Sequence, residues 1–193
     1  MKNLISGQED EERRLKALAE YRILGTKPES CYDDITQIAC RTCQVPISLM
    51  TLVDKDRQWF KSKVGFQKNE TRRDWSFCTH AIKENQPLVI QDAFLDKRFV
   101  DNPLVTGDPK IRFYAGFPLK NNDGNKLGTL CVIDRKPGSL NEEQCSIMIL
   151  LAKQIVSFLE LRKRSLNLLD ALSHLHHQEG ILSVCSYSRE VRN

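Results

Sequence analysis

Ile111-Arg-Phe-Tyr-Ala-Gly-Phe-Pro-Leu119 and Leu127-Gly-Thr-Leu-Cys-Val-Ile-Asp134, with Asn122-Asp123-Gly124 between them, decide the fold. Both flanking runs are rich in β-branched and aromatic residues, and Asn-Asp-Gly is a strong hairpin turn. A second pair lies upstream. Pro46 to Asp54 is β-rich, Asp54-Lys55-Asp56 makes a turn, and Arg57 to Val64 alternates. That alternation puts Gln58, Phe60, Ser62 and Val64 on one side. Leu88 to Asp92 reads as a further strand. Two adjacent hairpins argue for an antiparallel sheet covered by helices, an α+β sandwich.

The helices follow from period and punctuation. Glu9 to Arg22 is amphipathic, with Leu15, Leu18, Ala19 and Ile23 on one face, and Gly25 ends it. Thr26-Lys-Pro-Glu29 has capping-box spacing and predicts a second helix to about Cys43. Gly65 to Asp74 reads as a polar loop and Ser76 to Asn85 as a short helix. Ala93 to Lys110, with Pro103, Gly107 and Pro109, reads as a loop with one helical turn near Arg98 to Val100. Ser139-Leu-Asn-Glu142 is a second capping box, and the helix it opens meets no breaker until Gly180. Asn141 to His174 alone is 34 residues, about 50 Å at the usual rise. Leu161, Leu168 and Leu175 fall seven apart with Leu172 between the last two. That seam predicts a parallel coiled coil, although Ser165 interrupts it.

Composition excludes several classes. The 193 residues carry 29 Lys+Arg against 25 Asp+Glu, a net +4, and 40% are hydrophobic. The longest apolar run, Ile147 to Ala152, is far short of the about 20 residues a bilayer needs, so no membrane span is expected. Met1 to Asp10 is polar and turns acidic, unlike a secretory signal. The basic stretch from Asp56 to Asp74 matches no nucleic-acid docking motif, so no nucleic-acid partner is expected. Seven cysteines without a signal peptide predict reduced thiols and a cytoplasmic protein. Cys40 and Cys43 form a CxxC at a helix end with no partner pair, which argues for a structural role and no metal.

The ordered set of words resembles a GAF domain of the kind found in bacterial sensor histidine kinases and diguanylate cyclases. The words are Glu12 to Tyr21, Pro46-Ile47, Leu52-Val53-Asp54, Arg57 to Ser62, Ser76-Phe77-Cys78 and His80-Ala81-Ile82. After these come Pro87 to Ile90, Asp92-Ala93, Arg98-Phe99, Asp101 to Val105, Ile111 to Gly116 and Leu127 to Asp134. The resemblance implies a GAF/PAS-like sandwich with a central sheet of five to six strands. It also implies a pocket between the sheet and the segments from about Gly65 to Arg112, and a signalling helix that pairs in a homodimer. Residues 1–11 are then an N-terminal extension, 12–160 the sensory domain, 161–179 the signalling helix and 180–193 a short tail. Gly180 to Asn193 resembles a short cysteine motif found after sensory domains, with Ser188 where a second cysteine usually stands.

The candidate ligand site mixes residue types as small-molecule sites do. Trp75, Phe77, Phe99 and Tyr114 offer apolar walls, Asp92, Arg98 and Arg112 polar contacts, and Cys78 a thiol. Arg112 carries most of the expectation, because an arginine inside an Ile-Arg-Phe-Tyr strand must find an anion. That anion is a ligand's, or else Asp92 or Asp96. Cys78 and His80, two apart on a helix, do not face each other. Cys78 with Cys131 offers a pairing like that of the free methionine sulfoxide reductases, which share the fold. Thr79 stands between Cys78 and His80, which argues against a covalent bilin. His174, His176 and His177 read as a polar helix end. No cofactor is named by the sequence. The expected function is a non-enzymatic sensory module of a bacterial signal-transduction protein, such as a two-component system. It binds a small molecule or a partner and signals through its C-terminal helix to a kinase or cyclase effector. The alternatives are a small thiol oxidoreductase of the methionine sulfoxide type and a dimerisation module with a filled pocket.

Overall fold

The computed structural model describes the backbone of residues 2–190 and the side chains of residues 8–175. Elements run α1 (Lys2–Glu20), α2 (Ser30–Cys43), β1 (Ile47–Val53), β2 (Arg57–Val64), β3 (Glu70–Arg72), α3 (Phe77–Ala81), β4 (Leu88–Ile90), α4 (Pro103–Thr106), β5 (Phe113–Lys120), β6 (Lys126–Asp134) and α5 (Glu142–Glu190). One six-stranded sheet has the order β3-β2-β1-β6-β5-β4, and every neighbouring pair is antiparallel. The Asn121–Asn125 turn closes the β5–β6 hairpin, with Gly124 at φ +86° where a side chain would be strained.

The sheet separates two cores. One face carries α1, α2 and α5 over Met50, Leu52, Trp59 and Phe117. The other carries α3 and the long β4–β5 connection over Leu49, Phe60, Tyr114 and Cys131. One window of α5 reaches a mean hydropathy of 1.4, long and apolar enough to cross a membrane by composition alone. Its Met148, Ala152, Ile155 and Leu159 are buried in the first core.

Several sequence expectations are corrected. The polar loop from Gly65 to Asp74 contains β3, which is short and buries only Thr71. Thr26 and Glu29 form no capping box: Glu29 is the N-cap of α2 without a side-chain bond, since its carboxylate accepts from Lys61. The box on α5 sits two residues later than expected. Gln144 N donates to Asn141 Oδ1 at 2.7 Å and Asn141 N donates to Gln144 Oε1 at 3.0 Å. The helical turn expected at Arg98 to Val100 is present, with Val100 N bonded to Asp96 O at 3.0 Å, but the same connection also holds the unexpected helix α4, with Pro103 at its first position. Arg112 lies just ahead of β5 rather than inside it. The helix of α5 continues through Gly180. The β2 alternation breaks: Ser62 pairs with Met50 and Phe60 with Thr51, so Lys61 is the extra residue of a β-bulge. Lys61 and Ser62 consequently both face the helices.

Candidate functional site

The eight candidate residues separate into a buried group and a surface group. Phe77, Cys78, Phe99 and Tyr114 are all at most 2% exposed. Phe77 stacks on Phe99 with centroids 4.0 Å apart and planes 7° apart, and tilts against Tyr114 at 5.1 Å. The edge of His80 meets Phe99 at 4.9 Å, and burial lowers the imidazole's pKa. Ser76 caps α3, its Oγ accepting from Thr79 N at 3.0 Å and donating to Gln58 Oε1. That cap fixes where Phe77 and Cys78 enter the core.

Polar groups converge on Cys78. Its sulfur accepts from Thr129 Oγ1 at 3.0 Å and from Tyr114 Oη at 3.2 Å, and it also contacts Thr51 and the Cys131 thiol. Burial opposes ionisation at Cys78, but the hydrogen bonds from Cys131, Thr129, Thr51 and Tyr114 outweigh it and make this the more acidic of the two thiols. Burial and the neighbouring Cys78 push Cys131 up. Burial also raises Tyr114, so its hydroxyl stays protonated and donates. Gly116 makes this reach feasible, because a Cβ there would collide with the Tyr114 hydroxyl. The remaining cavity is about 20 Å³, lined by Gln58, Phe60, Thr71, Cys78, Tyr114 and Cys131 among others. That is room for about one water. Among the described residues the buried Thr71 hydroxyl has no partner. Cys78 and Cys131 line the same small cavity, which leaves no space for an organic substrate beside them.

The surface group lies elsewhere. Arg112 donates to Asp92 through Nε at 2.7 Å and Nη2 at 2.6 Å, a bidentate pair. Asp92 thus supplies an anion for Arg112 from within the protein, through two of the guanidinium nitrogens. The pair lowers Asp92 and raises Arg112. Arg98 is held the same way by Asp96, at 3.0 and 2.6 Å, and covers the Phe99 ring at 5.2 Å. Asp92 and Arg98 border an open groove of about 1120 Å³ that Arg112 does not line. Trp75 is half-buried at the rim, its carbonyl accepting from Asn102 Nδ2 at 3.0 Å. Among the described residues no three His, Cys, Asp or Glu side chains come together as a metal requires. Cys40 donates to Val45 O at 2.7 Å, and burial pushes Cys43 up to about 11, as structural thiols behave. His174 Nδ1 donates to Asp170 O over 2.6 Å, while the side chains of His176, His177 and Cys185 lie outside the described residues.

Thr51, Gln58, Thr71 and Thr129 belong to the buried site and are not marked as such by sequence pattern. The available clue is a hydroxyl within an apolar strand, as in Leu-Met-Thr51-Leu-Val and Leu-Gly-Thr129-Leu. Such a group must find a partner inside the fold.

The profile of the GAF domain family matches residues 27–158. The chain belongs to the GAF family. It is a GAF domain of the kind carried by bacterial signalling proteins. A cyclic di-GMP phosphodiesterase of Pseudomonas aeruginosa is 37% identical over 171 residues, covering 88% of this chain and 29% of that protein. The chain thus spans less than a third of that relative's length. Among solved structures, the GAF domain of an Acinetobacter phosphoenolpyruvate-protein phosphotransferase aligns with a TM-score of 0.57 at 14% identity. That alignment covers 80% of this chain and 96% of the other. A free methionine-R-sulfoxide reductase of Neisseria meningitidis aligns with a TM-score of 0.58 at 13% identity, covering 76% and 87%. At such identities these two likenesses establish the fold alone. In this GAF domain the sheet face used by Phe77, Cys78 and Tyr114 is closed over by its own aromatic side chains.

Proposed function

We propose that this GAF domain is a non-enzymatic regulatory unit of a cytoplasmic signalling protein. It pairs with a second copy through α5 and so controls an effector domain. The 37% relative makes a cyclic di-GMP phosphodiesterase unit the first effector to test. The carrying observation is the surface of α5. Leu161, Leu168, Leu172 and Leu175 are 61%, 61%, 47% and 57% exposed, on a helix whose first half is packed on the sheet. Leucines at that spacing form a seam that a second helix covers. Leu168→Cys and Leu175→Cys are each expected to give a disulfide-linked dimer under mild oxidation. Monomer in sedimentation together with no crosslink at either position refutes the reading.

Ligand binding is the finer part of the proposal. A ligand entering beside Cys78 must displace the Phe77–Phe99 stack, so binding would be coupled to a change of core packing. The about 20 Å³ cavity favours a second reading, a dimerisation module whose pocket is permanently filled. Thermal shifts against cyclic nucleotides, tetrapyrroles, amino acids, methionine sulfoxide and organic anions separate the two. A ligand at 100 times its Kd adds about 2.7 kcal/mol, which moves Tm by roughly 5–10 °C. Silence across the panel with an intact dimer selects the filled module.

A further inference from the structure

The β2 bulge places two functions on adjacent residues. Phe60 lines the small cavity and packs edge-on against Phe66 with centroids 5.3 Å apart. Its partner across the ladder is Thr51, whose hydroxyl lies 3.1 Å from that of Thr129, the donor to the Cys78 thiol. The next residue, Lys61, has no partner on β1 and turns to the opposite face. Its side chain is fully buried there. Lys61 Nζ donates to Glu29 Oε1 at 2.6 Å, Thr26 Oγ1 at 2.8 Å and Lys27 O at 2.6 Å. It also lies 5.4 Å from the centre of the Tyr32 ring, whose edge meets Phe158 of α5 at 6.1 Å.

Glu29 is shared. The same Oε1 accepts from Arg162 Nη1 at 3.2 Å. Arg162 stands on α5, past the last core leucine, Leu159. Its Nε and Nη2 donate to Tyr21 O at 2.9 Å and Arg22 O at 3.1 Å, which would otherwise be orphan carbonyls beyond the end of α1. Tyr21 Oη in turn donates to Glu160 Oε1 at 2.7 Å. A single carboxylate thus joins a buried lysine on the sheet to the turn of α5 that leaves the domain. Bulges re-aim side chains and are retained as designed features; here the bulge is what lets a strand carry an ammonium into the helical layer.

We propose that this bulge couples the aromatic and thiol pocket to α5: a rearrangement around Phe60 and Cys78 displaces Lys61 and, through Glu29, the Arg162 turn of the helix. Lys61 and Glu29 are positioning residues that act on the output helix and touch no ligand. The inference rests on the reading of α5 as the output. Coupling is shown by a cycle of perturbations, not by the chain of contacts itself.

The test is amide hydrogen exchange on the full chain in four forms: wild type, Phe66→Leu, Lys61→Met and both together. Phe66 is partly buried beside Phe60, so leucine loosens the pocket side without removing the core. Methionine at 61 keeps the buried volume, and Glu29 retains Arg162, so the fold is expected to survive. Phe66→Leu should speed exchange of residues 158–166 about tenfold when Lys61 is present, and add nothing there when residue 61 is methionine. Exchange in β5 and β6 should stay unchanged and reports intact folding. If Lys61→Met does not fold, Glu29→Gln replaces it in the cycle. Unchanged α5 exchange in Phe66→Leu, or equal effects in both backgrounds, overturns the proposal. Residues 158–166 include Leu161 of the seam, so the four forms are compared at one concentration with their oligomeric state matched by sedimentation. A failed crosslink at Leu168 and Leu175 therefore removes the output reading separately from the coupling itself.

Discussion

Replacing Phe99 with alanine asks directly whether the pocket is packed or merely closed. Phe99 is 1% exposed and lies face to face on Phe77, with His80 in an edge contact at 4.9 Å. Exposing the equivalent of a buried aromatic costs about 1.5–3 kcal/mol in transfer free energy. The vacated space, on the order of 100 Å³, adds about 2 kcal/mol at ~24 cal/mol per Å³. The sum is about 4 kcal/mol, inside the usual range of about 3–5 for such truncations. In a domain of this size it lowers Tm by roughly 8–16 °C. The vacated space is faced by the stacked Phe77 ring. Phe99 belongs to a core of apolar residues, and a void opened in such a core accepts small aromatics. Thermal melts of Phe99→Ala with and without benzene should therefore show a large loss and a partial recovery. A Tm within about 2 °C of wild type refutes the reasoning. The ring would then leave its site at little cost, and the filled-pocket reading would fail with it.

Glu11 is opposed by burial, but bonds from Arg14 and Arg73 bring it from 4.5 down to about 2. A depressed carboxylate stabilises the fold above its unfolded value and loses that contribution as pH falls from about 4.5 toward 2. Screening of this part-exposed group leaves about 1–2 kcal/mol, so Glu11→Gln should lower Tm at pH 7 and match wild type near pH 2. An equal deficit at both pH values would contradict it. A Cβ at Gly128 would collide with the Thr51 carbonyl oxygen and sit 2.8 Å from Leu52 Cα. Gly128→Ala must therefore force β1 from β6 and should cost about 3 kcal/mol or more by urea unfolding. Arg112→Ala removes a pair whose arginine is one-third exposed, so Tm should move by at most a few degrees. Unchanged affinity for any ligand found in the thermal panel would agree with the guanidinium being occupied by Asp92.

Sequence pattern locates surfaces and says little about partners, and this chain shows the boundary between the two. The hairpin around Asn122-Asp123-Gly124 is legible because turn chemistry and strand composition are local. The long helix is legible for the same reason. β3 is not, because three residues with one buried threonine carry no period. The need of Arg112 for an anion is legible from its neighbours, but the choice between a ligand and Asp92 is made by a segment 20 residues away. The buried site is harder still. Cys78 meets Thr129 across 51 positions, and Lys61 meets Glu29 across 32. At Lys61-Ser62 a strict two-residue period assigns one of the pair to the wrong face. The bulge overrides it because each polar group finds its partner on α2 or ahead of it: Glu29 for the ammonium, and Thr36 with Asp33 for the hydroxyl. An alternation read alone prices every polar residue as solvent-facing. Where the fold supplies a buried partner, satisfying that group outweighs the period. Those exceptions are where this GAF domain connects its pocket to its helix.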